Sequence, residues 1–530
     1  MALRRPKHVL ITVLLVAWCY DALFWRKSSG LSFVLFVGLL LVAGFTLAIG
    51  EQKRPKPGAL WLLAPIGVFT LMPILRLEPM TVFASVMLTL ALLMLLAHTF
   101  RGGRWSAYSL SDFIAVPFRL FASAVARPYD AYRQNKELSS EKSGAGSGVP
   151  WRLIGSVFLG LALATPALVV FGSLLSSADP IFADRLAEFL RRFNLEKLFE
   201  YLVRASYILL LAYALAGIYL YALAASQEEK LIGLDKPILQ PFLGPVEASI
   251  ILVCVNLLFI AFVIIQFQYF FGGRTNIHID GLTYAEYARR GFGELVLVAF
   301  FSLLLFWCLS QVTRRETLTQ RKSFSALGVL LGICVVVILL SAFQRLLLYE
   351  NAFGFTRLRT YPHVFMVWLG VLLAAFIVLE LAGRSRAFGL ALLFVTLGFG
   401  LTLGSLNVDG FITRRNVARA RLGSELDLDY LLTLSADSTP ALSELYRSNE
   451  LETELRDQIG AILACQAEKL DKQAEKRSWN AFHFSTWRAR RLLDRLAPAL
   501  RDYSVMERSG SYSVTLDGEV HACKGRWELD

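Results

Sequence analysis

Long apolar runs, broken by short polar and charged segments, set the pattern of this chain. Eleven runs are long enough to cross a bilayer: Val9 to Trp25, Leu31 to Gly50, Ala59 to Leu75, Met80 to Ala97, Leu153 to Leu175, Ala205 to Ala225, Ala248 to Phe270, Glu294 to Val312, Phe324 to Phe343, Val364 to Leu381 and Ala387 to Leu406. About 20 apolar residues span a hydrocarbon core of roughly 30 Å, and about 17 suffice. Lipid offers the backbone no hydrogen-bond partner, so each run is predicted to be a helix and not a strand.

Two further stretches have helical periodicity on one face only. Leu110, Phe113, Ile114, Leu120, Phe121 and Val125 form an apolar stripe beside Arg119 and Arg127, and Phe182, Leu186, Phe189 and Phe193 form another against Arg185, Glu188 and Arg192. Such helices lie along a membrane surface or pack on the bundle. Ser143 to Gly148 has the composition of a flexible tether. Beyond residue 407 the chain reads as mostly helical, with Leu445, Leu451, Leu455, Ile459 and Ile462 at one helical period and Trp487, Leu492, Leu493 and Leu496 at another. Tyr512 to Cys523 alternates around Asp517-Gly518, a hairpin signal.

The expected fold is therefore an all-α polytopic membrane protein of about eleven spans, with a small, mostly helical C-terminal domain ending in a β-hairpin. Its regions are 1–130 (four spans and an interfacial helix), 131–150 (linker), 151–406 (seven spans) and 407–530 (soluble domain).

Composition agrees: 55% of the 530 residues are hydrophobic and 18% charged, against about 45–50% and 25% in soluble domains. The net charge of +12 sits in short loops and forms no groove-like stripe, which argues against a nucleic-acid partner. Basic residues accumulate in alternate loops: Arg4, Arg5 and Lys7; Lys53, Arg54 and Lys56; Arg101 to Arg133; Arg314 to Lys322; and Arg384 with Arg386. By the positive-inside bias these are cytoplasmic, and an odd number of spans then places the C-terminal domain in the periplasm of a bacterial inner membrane. Arg414, Arg415, Arg419 and Arg421, close after the last run, run against that bias. Arg4 to Lys7 followed by an apolar run has the form of a signal sequence, but Trp25-Arg26-Lys27 is no small-residue cleavage site, so the segment is expected to remain as an anchor.

Ionisable residues at membrane depth are costly and mark candidate sites. Glu286, Arg290 and Glu294 fall four residues apart, on one face of a continuous helix, with Arg289 beside them; Arg345, Glu350, Arg357 and Arg359 should lie on the same side of the membrane. The group reads either as an ion-pair network between helices or as a polar pocket. Cys465 and Cys523, the two cysteines of the soluble domain, could pair in an oxidising compartment or stand as separate thiols. Six histidines are scattered without ligand spacing, and no phosphate loop, nucleophile elbow or phosphorelay segment is present, so no cofactor, metal or catalytic residue is expected.

Gly281-Leu-Thr-Tyr-Ala-Glu-Tyr-Ala-Arg-Arg-Gly-Phe292, then Arg345 and Tyr349-Glu-Asn-Ala-Phe-Gly-Phe-Thr-Arg-Leu-Arg359, resemble the uncharacterised bacterial membrane family catalogued as domain of unknown function 4173. The likeness extends to Asn416, Gly423, Leu426-Asp427, Tyr430-Leu431 and Leu434-Ser435. It implies a multi-span inner-membrane protein with a soluble tail and assigns no role to any residue. The expected function is a sensing or scaffolding component of the cell envelope, with the bilayer and an envelope protein bound through the tail as partners. The alternative is a small-solute or ion permease using the charged cluster. Against the permease stands the scarcity of polar groups at mid-span beyond Asn256, Gln266 and Gln268.

Overall fold

The computed structural model describes residues 6–27, 30–140, 151–192, 195–226, 231, 241–271, 292–448, 451–476, 478–508, 511–516 and 519–523. The helices are α1 (Pro6–Phe24), α2 (Leu31–Gly50), α3 (Pro57–Leu60), α4 (Leu63–Leu75), α5 (Pro79–Thr99), α6 (Leu110–Ser140), α7 (Trp151–Ala178), α8 (Pro180–Arg192), α9 (Leu195–Ala224), α10 (Pro245–Phe271), α11 (Phe292–Val312), α12 (Leu318–Phe353), α13 (Arg357–Leu381), α14 (Phe388–Leu406), α15 (Val408–Ala420), α16 (Leu428–Leu432), α17 (Thr439–Arg447), α18 (Thr453–Lys476) and α19 (Phe484–Leu496). Among the described residues, ten helical stretches are long and apolar enough to cross a membrane. The eleventh run of the sequence falls in α7, which carries Pro166.

The chain divides into two compact units, residues 1–61, 93–103 and 116–229 in one and 62–92, 104–115 and 230–530 in the other. In the first, α1 packs along α9, and α7 and α8 pack on α9. Residues 116–140 of α6 approach α9 at backbone distance: Ser123 Oγ donates to Gly217 O (3.1 Å) and Tyr213 Oη to Val125 O (2.7 Å). A Cβ at Gly217 would stand 2.6 Å from Ser123 O. Valine there is expected to force the helices apart at a cost of about 1–3 kcal/mol, read as a fall in detergent thermal stability that Gly217→Val shows and Gly67→Val, in open space, does not. Val116 and Leu120 of α6 are buried, whereas Phe118, Phe121 and Val125 are exposed. Of the second amphipathic stripe, Phe182 is exposed, and Phe189 and Phe193 lie outside the described side chains.

In the second unit α12 is the centre, packed by α10, α11 and α13, with α14 against α13. The fit is close: a Cβ at Gly332 would meet Phe376 at 3.1 Å. The N-terminus of α12 is held by a reciprocal capping box between Thr317 and Gln320. At its other end Gly354 takes φ +81, a conformation open chiefly to glycine, and turns the chain into α13. Span ends and C-terminal domain share one hydrophobic cluster, with Val364 and Leu403 from the spans and Ile412, Leu442, Ile459, Leu463, Leu493 and Val514 beyond them.

The expected helical row from Leu445 to Ile462 is two helices, α17 and α18. The hairpin is the outer part of a three-stranded antiparallel sheet, β1 (Val505–Arg508), β2 (Ser511–Leu516) and β3 (Glu519–Ala522), in that order. Leu516 faces Glu519 across the hairpin, and residues 517–518 of its turn lie outside the described set. Strand β2 packs on α18, and a disulfide joins Cys465 of α18 to Cys523, Cα atoms 5.7 Å apart.

Candidate functional site

Three deeply buried charges of the second unit, Asp409, Asp437 and Glu78, collect where α13, α14 and the α4–α5 turn meet the C-terminal domain. After α14, Asn407 adopts left-handed backbone (φ +49), its side chain accepts from Gly410 N (3.1 Å), and α15 starts in a new direction. This bend carries Asp409 inward, where it is 0% exposed. Asp409 takes a bidentate pair from Arg357 at the start of α13, with Nε to Oδ1 at 2.7 Å and Nη2 to Oδ2 at 2.5 Å. Its Oδ2 also accepts from Ser435 N (2.9 Å) and Ser435 Oγ (2.6 Å). The planar guanidinium matches a carboxylate two bonds at a time, and the extra donors use the remaining lone pairs. Arg357 N in turn donates to Tyr430 Oη (2.7 Å).

Asp437, 2% exposed, ties the tail to the α4–α5 turn. It accepts from Leu77 N (2.6 Å), Glu78 N (3.0 Å) and Ser485 Oγ (2.6 Å). Alongside, Arg76 Nε donates to Gly404 O (2.8 Å) and Asn407 Nδ2 to Asp437 O (2.9 Å). His483 Nδ1 lies 3.0 Å from Pro73 O, in the last turn of α4. Glu78, 1% exposed, caps α5 by accepting from Met80 N and Thr81 N, each at 2.9 Å.

Burial pushes the Glu78 and Asp437 carboxyls above the usual carboxylate range; hydrogen bonds oppose this, and the charge of Asp409 adds to it. The sign follows: a carboxyl with raised folded-state pKa contributes stability that is present below its unfolded value and lost as pH rises through the folded one. These two carboxyls should make the melting temperature fall as pH rises above the usual carboxylate range. In Glu78→Gln that slope should be shallower, Asp437 supplying what remains. Identical slopes in differential scanning fluorimetry would remove Glu78 from the linkage.

The charged residues singled out from sequence are not one cluster among the described residues. Arg357 belongs to the junction above. Arg345 Nη2 donates to Gln266 Oε1 (3.1 Å), which also accepts from Ser341 Oγ (3.0 Å). Glu350 pairs with His363 Nδ1 at 3.1 Å. Arg359 lies over the Tyr349 ring (4.2 Å) and donates to Phe353 O (2.9 Å) and Gly354 O (2.5 Å). Glu294 is exposed and lines an open cleft of about 680 Å³ with Tyr361, Phe365 and Phe399. Glu286, Arg289 and Arg290 lie outside the described residues. Asn256 donates to Leu327 O (3.1 Å), a helix-to-helix contact.

Asp409, Asp437, Glu78 and Ser435 were missed as site residues. The available signal was position: Glu78 sits in a four-residue turn between two apolar runs, and Asp409 three residues after the last run.

The fold and this junction define a predominantly helical multi-pass membrane protein whose C-terminal domain is built onto the ends of its spans. The chain belongs to the family described as Domain of unknown function (DUF4153), whose model matches residues 63–445. That stretch contains every residue of the junction except Ser485 and His483. The expectation of an uncharacterised family stands, but the family matched is this one and not 4173. No curated protein and no solved structure matches the chain.

Proposed function

We propose that this is a bacterial inner-membrane platform that couples a periplasmic C-terminal domain to its membrane core. The observation that carries the reading is Asp409, buried between Arg357 of the span and Ser435 of the tail. A loosely tethered domain would have no use for a buried, four-bonded carboxylate at its root. A partner that moves the tail must move α13 with it, or break a pair whose separation is costly.

The topology is supported by contacts within the first unit. α5 and α9 end together, because Arg101 N donates to Ser226 Oγ (3.2 Å), Arg101 Nη1 to Leu223 O (3.2 Å), and His98 stacks on Tyr221. α9 begins beside the end of α1, where Arg204 Nε donates to Asp21 Oδ1 (2.9 Å). The chain therefore needs one crossing between residues 101 and 199, and α7, 28 residues long, supplies it; α6 is too charged. Eleven crossings put the two termini on opposite sides, and the basic loops put the N-terminus inside. The arginines after the last span are used by the protein itself: Arg419 Nη2 donates to Asn351 O (3.0 Å), and Arg415 lies over Phe411 (5.4 Å).

The tail also has a lipid-facing character. Trp479, Phe482, Phe484 and Trp487 are exposed around His483, which is bonded to the last turn of α4. That is the level of the bilayer–water boundary, where aromatic side chains concentrate. The remaining faces of the domain are left for an envelope protein partner.

The permease reading has less support, since the polar groups Asn256, Gln266, Ser341 and Arg345 bond one another's helices. Complementation of a deletion strain separates the two. A platform requires that Asp409→Asn and truncation after Leu406 fail while Glu294→Gln and Gln266→Leu succeed. Full complementation by the truncated chain would end the platform reading.

A further inference from the structure

At the end of the spans opposite the junction, a cavity of about 220 Å³ opens between α11, α13, the start of α14 and the Ser109–Ser111 segment. At about 30 Å³ per water this is room for roughly seven waters, or one small polar group. Its wall mixes Ser310, Gln311 and Trp307 with phenylalanines.

Two charged groups there are poorly matched. Glu380 is 9% exposed; Arg315 is near enough to feel its charge but donates to Ser310 O (2.7 Å) and lies over Phe324 (4.7 Å). Arg386 Nη2 is buried without a hydrogen bond among the described residues, 3.9 Å from Asp112 Oδ2; Asp112 itself accepts from Ser109 N (2.9 Å) and Ser109 Oγ (2.7 Å). Buried polar groups are normally satisfied, so the open Arg386 donor asks for an acceptor on a ligand, and the Glu380 carboxylate on the same wall offers a partner to a cationic group. Arg315, Arg386 and Glu380 put both signs of charge on the wall, which favours a ligand that carries both.

We propose that this cavity binds a phosphoethanolamine zwitterion, its ammonium on Glu380 and its phosphate on Arg386. The chemistry is shared by a phospholipid headgroup and by a free solute. Position favours the lipid: Glu380 and Arg386 stand at the adjoining ends of two spans, at headgroup depth.

The test is native mass spectrometry of the full-length protein released from nanodiscs of phosphatidylcholine mixed with phosphatidylethanolamine. The two lipids share the phosphate, but only phosphatidylethanolamine offers ammonium N–H donors. The wild type is expected to retain phosphatidylethanolamine about tenfold over phosphatidylcholine. Glu380→Gln should lose that preference, and Arg386→Gln should reduce retention of both; Arg386→Lys, which keeps the charge, serves if the glutamine variant fails to fold. If soluble phosphoethanolamine displaces the lipid, a free solute is the natural source; if it does not while the preference holds, the lipid is. No preference in the wild type, or a preference that survives Glu380→Gln, would overturn the proposal and leave a water-filled cavity.

Discussion

Asp409→Asn is expected to cost about 3–5 kcal/mol, the range for breaking a buried ion pair by removing one partner. The cost is not the loss of attraction alone. Arg357 is held among Asp409, Tyr430 and the α13 start, and its charge would remain there without a counter-charge. Asparagine can still accept from Ser435, so the tail should keep its fold while its root loosens. Adding Arg357→Gln removes the stranded charge, and the double variant should be more stable than the sum of the single effects by about 0.5–3 kcal/mol. Denaturation of the detergent-solubilised protein, followed by tryptophan fluorescence, measures all three. Strict additivity would mean that Asp409 and Arg357 act independently.

The second large effect concerns the disulfide. Cys465 and Cys523 are 58 residues apart, and closing a loop of that size is worth about 4 kcal/mol through the entropy of the unfolded chain. Cys465→Ser should therefore let the sheet come away from α18 in conditions where the wild type is folded. The same pair reports sidedness. With a periplasmic tail, an impermeant maleimide on intact cells should label Cys465 and Cys523 only after reduction. Labelling that needs permeabilised cells would place the tail in the cytoplasm.

The spans were legible because lipid imposes a single rule: about 20 apolar residues in a helix. The weight of Arg357 was legible by a similar argument, since a cation at a span end needs a partner. Its partner was not. Nothing local marks Asp409 as buried; it is carried inward by the left-handed Asn407, and it is covered by Ser435 and Arg357, 26 and 52 residues away. Asp437 and Glu78 meet across 359 residues, a distance no periodicity reports. Among the described residues Arg345, Glu350, Arg357 and Arg359 each meet a different partner, Gln266, His363, Asp409 and backbone carbonyls respectively, while Glu286, Arg289 and Arg290 lie outside that set. The third strand of the sheet was missed because β1, Val505–Arg508, is four residues long with no alternation to show.

The most direct measurement is the distance between a spin label at Leu381, exposed at the far end of α13, and one at Leu422, exposed in the tail, with the free cysteines removed. A tail fixed to the core by the buried junction gives one narrow distribution in the wild type and a broad one in Asp409→Asn. A broad distribution in the wild type, or a narrow one that survives Asp409→Asn, would contradict the coupling account.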